Sequence, residues 1–533
     1  MFQTGFLSRV KHHIIEFSKN TPIDFEIVDK REKPLQPRLP KEIKMKTKGK
    51  EISLRDYQYK GVELAFAKQR GTINAATNGG KSATAYAIIK YVQDLLRYSD
   101  SILFLIGNAS VAVQTREVFK EALGTEIGFW GSGKKDLQQI TIGMPQTIHS
   151  ALKDPAKDVK VTTRNKKLQY MATKYVPMFD KFVTKKPMIR NFLKTHKPKY
   201  SYDRECFDEL IQMLSMPEQD VSNALYWYTE KWRKFVKKAN KKKFKQHEQA
   251  LDYLDSVKVV IQDESHTAAA DTFKDVLNHL PNARMRIGMT GTLPIDNVKA
   301  HIYEGEFGTD KLSVTNDELI SRGISTKPYI CQVPIESPKN LDKKALGALP
   351  VGLPKSQLDL MLYQEVYRQG IVHNNYRNGV IANLANKVYN SNSQGVVLIV
   401  VKSIEHGNII EEEINAVNSD INVKYLQGQD TLDRRGEVLD QVKASKVDVL
   451  IATSVIDVGV DLPNLQYLVY ASGGKSPIQL LQRIGRMLRL GKHKPYIVVY
   501  DFVDRTSKYL YAQSQSREKI YDEQKFEFIN REN

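Results

Sequence analysis

Apolar positions along this chain come in two rhythms: short unbroken runs, and longer stretches where they recur every three or four residues. Runs such as Ile102-Leu103-Phe104-Leu105-Ile106 and Val396-Val397-Leu398-Ile399-Val400-Val401 read as strands buried on both faces, and the intervening recurrence reads as amphipathic helix. The alternation occurs in two blocks. The first has strands at 72–75, 102–106, 140–142, 257–261 and 285–289, the second at 396–401, 423–426, 447–451, 465–469 and 496–500. Strands alternating with helices imply parallel sheets covered on both faces, so the expected fold class is α/β with two parallel-sheet domains in tandem. A proline-containing stretch from Pro328 to Pro354 and a helical region over 357–390 separate the blocks and put the boundary near residue 330. The expected divisions are a small N-terminal segment 1–50, a first domain 51–330, a second domain 331–505 and a C-terminal helical tail 506–533. Phe2, Phe6, Val10, Ile14 and Phe17 stand at helical spacing without a continuous apolar segment or cleavage site, which predicts a packed amphipathic helix rather than a secretion signal.

Charge changes the picture by its location. The 533 residues carry a formal net charge of +19. Residues 1–50 hold 12 Lys and Arg against 6 Asp and Glu, and residues 151–256 hold 24 against 13, so 17 of the 19 excess charges fall in two segments. That concentration implies a polyanionic partner. Residues 151–256 also interrupt the first α/β block, which makes them a basic, largely helical insertion. Its basic residues are interleaved with Tyr170, Tyr175, Phe179, Phe182, Phe192, Tyr200, Tyr202, Tyr226, Trp227, Tyr228 and Trp232, and the run 231–245 holds nine basic residues and no acid. Lys231, Arg233, Lys237 and Lys241 are the candidate contacts to a phosphate backbone whose bases stack on rings. The same rings would equally serve as the core of a small helical subdomain. Two cysteines, Cys206 and Cys331, make no disulfide framework or zinc site, and no apolar run nears the roughly 18 residues of a membrane span. A cytoplasmic protein with no membrane partner is expected.

Two segments of the first block carry phosphate chemistry. Ala75-Ala76-Thr77-Asn78-Gly79-Gly80-Lys81-Ser82 lies between a strand and a helical run, the setting of a phosphate loop. Gly79 and Gly80 let backbone N–H groups turn toward a β-phosphate, Lys81 reaches the β- and γ-phosphates, and the Ser82 hydroxyl ligates Mg²⁺. The apolar strand Val259-Val260-Ile261 runs through Gln262 into Asp263-Glu264-Ser265-His266. At the C-terminal edge of a parallel sheet, Asp263 is placed to hold Mg²⁺ and Glu264 to orient and deprotonate the attacking water.

The spelling Asp263-Glu264-Ser265-His266 resembles the DExH box of superfamily 2 helicases, and other stations of that family follow. Leu54-Arg55-Asp56-Tyr57-Gln58 resembles the adenine-reading segment, which makes Gln58 the base contact. Thr290-Gly291-Thr292 resembles motif III. Gln114 and Pro145-Gln146-Thr147 resemble the nucleic-acid-facing motifs Ia and Ic, with Gly107-Asn108 standing where the family commonly has a proline. Gln482-Arg483-Ile484-Gly485-Arg486-Met487-Leu488-Arg489 resembles motif VI, whose Arg486 and Arg489, three apart on one helix face, suit a clamp on the γ-phosphate. The segment from Ala452 to Pro463 resembles motif V; the resemblance implies that Asp461 meets the ribose, Gly459 permits close approach and Thr453 touches the nucleic-acid backbone. His406, in Glu405-His406-Gly407, has the more ordinary reading of a surface or capping histidine. Arg377-Asn378, Glu405-His406-Gly407 and the ending Tyr500-Asp501-Phe502-Val503-Asp504 look most like phage branch-migration helicases of the UvsW type and their poxviral relatives.

The resemblance covers roughly 50–150 and 257–505. It implies two RecA-like domains that bind ATP and Mg²⁺ in their cleft, with Thr77 and Asn78 among the nucleotide contacts and Gln482 in the catalytic set, and DNA, forked or branched, as partner. An RNA helicase shares the ATPase motifs, and a nucleic-acid-binding scaffold without hydrolysis is a third reading against which Lys81, Glu264, Arg486 and Arg489 stand.

Overall fold

The computed structural model describes residues 6–20, 34–47, 49–157, 159, 161–294, 296–352, 354–391, 395–453, 462, 464–491 and 494–531. A hairpin of β1 (Lys44–Thr47) and β2 (Lys50–Ser53) precedes an eight-stranded sheet. The strands of that sheet are β3 (Arg70–Ala75), β4 (Ser101–Leu105), β5 (Gly128–Gly131), β6 (Lys134–Asp136), β7 (Ile140–Gly143), β8 (Val257–Gln262), β9 (Met285–Thr290) and β10 (Lys311–Val314), in the spatial order β10-β3-β9-β8-β4-β7-β5-β6. The pairs β10–β3, β3–β9 and β8–β9 run parallel, so β3, β8 and β9 all end at one edge. Every residue of β4 and β7 is buried, which is what an unbroken apolar run predicts for a central parallel strand. Leu35, Ile43 and Met45 pack into the core under this sheet.

The second sheet has seven strands, β11 (Lys327–Ile335), β12 (Val396–Val400), β13 (Val423–Leu426), β14 (Val449–Ala452), β15 (Leu465–Tyr470), β16 (Tyr496–Asp504) and β17 (Glu527–Asn530), in the order β13-β14-β12-β15-β16-β11-β17 with every pair parallel. Two core clusters cover its faces. The fold is the α/β arrangement of two RecA-like sheets. Among the described residues no helix is long and apolar enough to cross a membrane.

Four expectations need correction. The proline-containing stretch after residue 327 is not all linker, because Lys327–Ile335 is a strand inside the second sheet. Pro328 and Pro334 are tolerated because the register with β17 runs only over Tyr329, Ile330 and Cys331, so their missing N–H groups face no ladder partner there. The chain after residue 505 is not a helical tail alone: helix Lys508–Glu523 returns the chain to the sheet as β17. Residues Leu7–Asn20 do form a helix, yet Ile14, Ile15 and Phe17 are exposed rather than packed. His406 is fully buried, with Nε2 3.1 Å from Asn378 Oδ1, and it is Ser403 that caps the helix, its hydroxyl accepting from the His406 N–H.

The chain divides into two compact units, one of Met1–Met144, Lys258–Asp271 and Ala283–Asn533 holding both sheets, the other of Pro145–Val257 and Thr272–Asn282. The second unit is helical and has its own core. Met171, Tyr175, Phe179, Phe192, Phe207 and Tyr228 are buried in it, with Tyr175 bonded to Asp203.

Candidate active site

The phosphate loop is built by two left-handed turns. β3 ends at Ala75, the Ala76 N–H is tied to Val314 O at 2.9 Å, and Asn78 and Gly80 take φ of 74° and 75° before helix Lys81–Gln93 begins. A β-carbon on Gly79 would stand 2.9 Å from Ala76 O, so the loop closes only without one. The Gly79 N–H donates to Ala76 O at 2.9 Å within this turn, which ends at the N-terminus of helix Lys81–Gln93, the kind of site that holds phosphate. Lys81 Nζ lies 3.2 Å from Ala75 O, and Ser82 is exposed on the first helical turn.

Gln58 is placed differently from its expected task. Its Oε1 accepts from the Arg55 N–H at 2.8 Å and its Nε2 donates to Gly79 O at 3.1 Å, with the side chain 5 % exposed. Both ends of the carboxamide are hydrogen-bonded inside the protein, where it braces the phosphate loop.

β8 ends two strands from β3 at the same edge. The Asp263 N–H bonds Leu105 O at 2.9 Å, and Glu264 turns through φ 48°. Burial and the adjacent Glu264 carboxylate push Asp263 up to about 6. Burial also raises Glu264, but His266 and the charges of Lys81 and Arg486 outweigh it and hold this carboxyl below its usual range. His266 Nδ1 is 3.3 Å from Glu264 Oε2 and 3.1 Å from Thr290 Oγ1, which links the acidic pair to the Thr290-Gly291-Thr292 turn at the end of β9.

Helix Pro477–Met487 of the second sheet docks on the loop. Asn78 Nδ2 donates to Gly485 O at 3.4 Å, and Arg489 Nε donates to Asn78 Oδ1 at 3.3 Å. One pocket is lined by Thr77, Lys81, Glu264, Thr292, Asn316 and Gln482 among others. Asn316, which no motif marks, is 6 % exposed, and its Nδ2 donates to Gln524 Oε1 at 2.7 Å.

The structure separates the other candidates. Gln114 is exposed on helix Ala109–Leu123, whose N-cap is Asn108; its Oδ1 accepts from the Ser110 and Val111 N–H groups, a physical use for the residue that replaces proline. Gln146 and Thr147 lie in the second unit, exposed and half-buried respectively on helix Pro145–Leu152. Thr453 is buried beyond β14, its hydroxyl without a hydrogen-bond partner among the described residues. Gly459 and Asp461 lie outside the described residues. Lys231, Arg233 and Lys237 are exposed on helix Glu218–Ala239 and Lys241 is exposed on Lys241–Ser256, but they do not share one line. Steps of three and four instead align Trp227, Lys231, Lys234 and Lys238, with Lys231 Nζ 4.1 Å from the Trp227 ring centre.

Comparison with known proteins gives the family. Residues 51–295 match the family described as type III restriction enzyme, res subunit, and residues 379–491 match the helicase conserved C-terminal domain. The chain belongs to the superfamily 2 helicases. It is similar to putative helicase 22 of Sulfolobus islandicus filamentous virus, 28% identical over 265 residues that cover 50% of this chain and 45% of the relative. Similarity to ATP-dependent DNA helicase uvsW of Enterobacteria phage T4 is 26% over 257 residues, 48% of each chain. The crystal structure of T4 UvsW aligns at 17% identity and a TM-score of 0.34, covering 99% of this chain and 87% of that one. The chain spans about half the length of the curated relatives it matches.

Proposed function

We propose that the chain is an ATP-dependent DNA helicase or translocase that unwinds or branch-migrates forked and junction DNA in replication, recombination or repair, in the cytoplasm. One observation carries the reading: Lys81 and Glu264 of the first sheet line the same pocket as Gln482 of the second, with Arg489 reaching Asn78 at its rim. A scaffold has no use for that convergence. The similarity to a phage DNA helicase supports DNA over RNA as the partner.

The residues fit ATP with Mg²⁺. The N-terminus of helix Lys81–Gln93 suits a β-phosphate, and Asp263 with Ser82 offers the one or two oxygen ligands that Mg²⁺ takes when phosphates and water supply the rest. When bound, the ion neutralises charge on the phosphates. Lys81 holds the β- and γ-phosphates, and Glu264, depressed in pKa and so ionised, orients the attacking water and takes its proton. Arg486 and Arg489 arrive from the second sheet and stabilise charge on the γ-phosphate, so hydrolysis requires the two sheets to close. Loss of that phosphate removes what both sheets grip, and the cleft reopens. Repeated closing and opening moves the domains along a strand, while the basic second unit holds nearby duplex.

The test is ATP hydrolysis and strand displacement with forked DNA, linear single-stranded DNA, duplex DNA and single-stranded RNA. Strongest stimulation and displacement with the fork is the expected result. Preferential stimulation by RNA would assign an RNA helicase, and no hydrolysis on any substrate would overturn the motor reading.

A further inference from the structure

The loop that leads into the arginine helix is held by residues outside the helicase motifs. Residues 471–476 join β15 to helix Pro477–Met487, and Gly473 and Gly474 adopt φ of 60° and 94°. Arg517 Nη1 donates to Gly474 O at 2.8 Å, and the Gly474 N–H donates to Gln513 Oε1 at 3.0 Å. The Tyr367 hydroxyl donates to Ser472 O at 2.9 Å, and Arg377 Nη1 donates to Ala471 O at 2.9 Å. Three helices therefore converge on Ala471, Ser472 and Gly474 of one short loop.

Both arginines are fixed in turn. Arg517 Nε meets the two Asp501 oxygens at 2.9 and 3.0 Å and its Nη2 donates to Phe502 O at 2.8 Å, while Arg377 Nε meets Asp504 Oδ1 at 2.9 Å. Asp501 and Asp504 lie on β16, and the arginine side chains are 1% and 0% exposed. Buried ion pairs are a poor source of stability, because desolvation offsets the Coulomb attraction. What a guanidinium supplies that an apolar side chain cannot is direction: one planar fork ties a carboxylate on the sheet to a carbonyl of the loop. Helix Lys508–Glu523, which bears Arg517 and Gln513, lies beyond the helicase C-terminal match that ends at residue 491.

We propose that Arg517 and Gln513 are positioning residues for ATP hydrolysis: by fixing Gly474 they set where the following helix holds Gln482 and Arg486, and where Arg489 lies two residues past its end. This rests on the reading that those residues complete the ATP site.

The test measures kcat and KM for ATP with forked DNA, and Tm, for the full chain and four variants. Arg517→Lys keeps a cation beside Asp501 but cannot also span Gly474 O and Phe502 O. Gln513→Leu removes the acceptor for Gly474, Gln513→Glu retains it, and Arg486→Ala removes the proposed finger. Arg517→Lys and Gln513→Leu are expected to lose kcat on the order of 10- to 100-fold with KM within about threefold, and Gln513→Glu is expected to stay near wild type. Should Arg517→Lys fail to fold, the contrast between the two Gln513 variants decides. Folded Arg517→Lys and Gln513→Leu at wild-type kcat, with Arg486→Ala impaired, would overturn the inference alone, as would Gln513→Glu falling as far as Gln513→Leu. Arg486→Ala at wild-type rate would overturn the reading of the site, and this inference with it.

Discussion

Gly485 of the arginine helix packs directly on Thr77 of the phosphate loop: a β-carbon at 485 would stand 2.6 Å from both Cβ and Oγ1 of Thr77. The helix backbone meets the Thr77 side chain this closely only because position 485 has no side chain, and Asn78 beside it is within reach of Arg489. Gly485→Ala is therefore expected to hold the helix off the loop. Steady-state ATP hydrolysis should fall on the order of 10- to 100-fold, with Tm close to wild type because the methyl group meets the other domain and not its own core. Wild-type kcat in this variant would show that the contact has no part in turnover.

His406 gives the second sheet a pH dependence. Asn378 Nδ2 donates to Val372 O at 2.9 Å, which leaves Oδ1 to accept from His406 Nε2, so the ring is the neutral Nε2–H tautomer. Burial, then the charges of Arg377 and His373, push its pKa down to about 3. Folded His406 therefore refuses a proton that the unfolded chain accepts below about 6.5. Stability is full above that pH and is lost as pH falls from about 6.5 toward 3. His406→Gln, which keeps an N–H donor but does not titrate, should show a smaller drop in Tm between pH 7 and pH 5 than wild type. Parallel Tm curves for the two proteins would refute the assignment.

Trp227, Lys231, Lys234 and Lys238 form the straight line along helix Glu218–Ala239 that a strand could follow. Replacing the three lysines with glutamine removes the phosphate contacts proposed for them. The slope of log binding constant against log salt for single-stranded DNA should then fall by about 2, from roughly 0.7 per contact. Replacing Arg233 and Lys237 instead should leave more of the slope intact. Equal slopes for wild type and the triple variant would exclude this face from the DNA path.

What the sequence disclosed follows from where each feature is encoded. Central strands such as β4, β7 and β12 are buried on both faces and appear as unbroken apolar runs, so they were legible one by one. Of the edge strands, β13 was legible, and β10 and β17 were not. β10 and β17 read Lys-Leu-Ser-Val and Glu-Phe-Ile-Asn, with Ile529 exposed, and carry no such run; β11 was hidden by Pro328 and Pro334. Within the site, Ala75 to Ser82 and Asp263-Glu264 are local spellings whose chemistry is set by adjacent residues. The contacts that join the sheets are not local: Asn78 to Arg489, Thr77 to Gly485 and Asn316 to Gln524 each span hundreds of positions. Gln58 shows the converse. Its spelling was recognisable, but its hydrogen bonds to Arg55 and Gly79 assign it to the loop's support, which only the fold could reveal.

Glu264 from one sheet and Arg486 from the other are proposed to act on one ATP molecule. The measurement that tests it most directly is nucleotide affinity and kcat, with forked DNA present, for Glu264→Gln and Arg486→Ala. Glu264→Gln keeps the side chain's shape but removes the base, for which a loss of about 10²- to 10⁴-fold in kcat is expected. Arg486→Ala removes the charge proposed to meet the γ-phosphate, with an expected loss on the order of 10³-fold. Both should still bind ATP within a few-fold of wild type. Hydrolysis by Arg486→Ala at the wild-type rate, with Glu264→Gln inactive, would show that the first sheet works alone and would contradict the account.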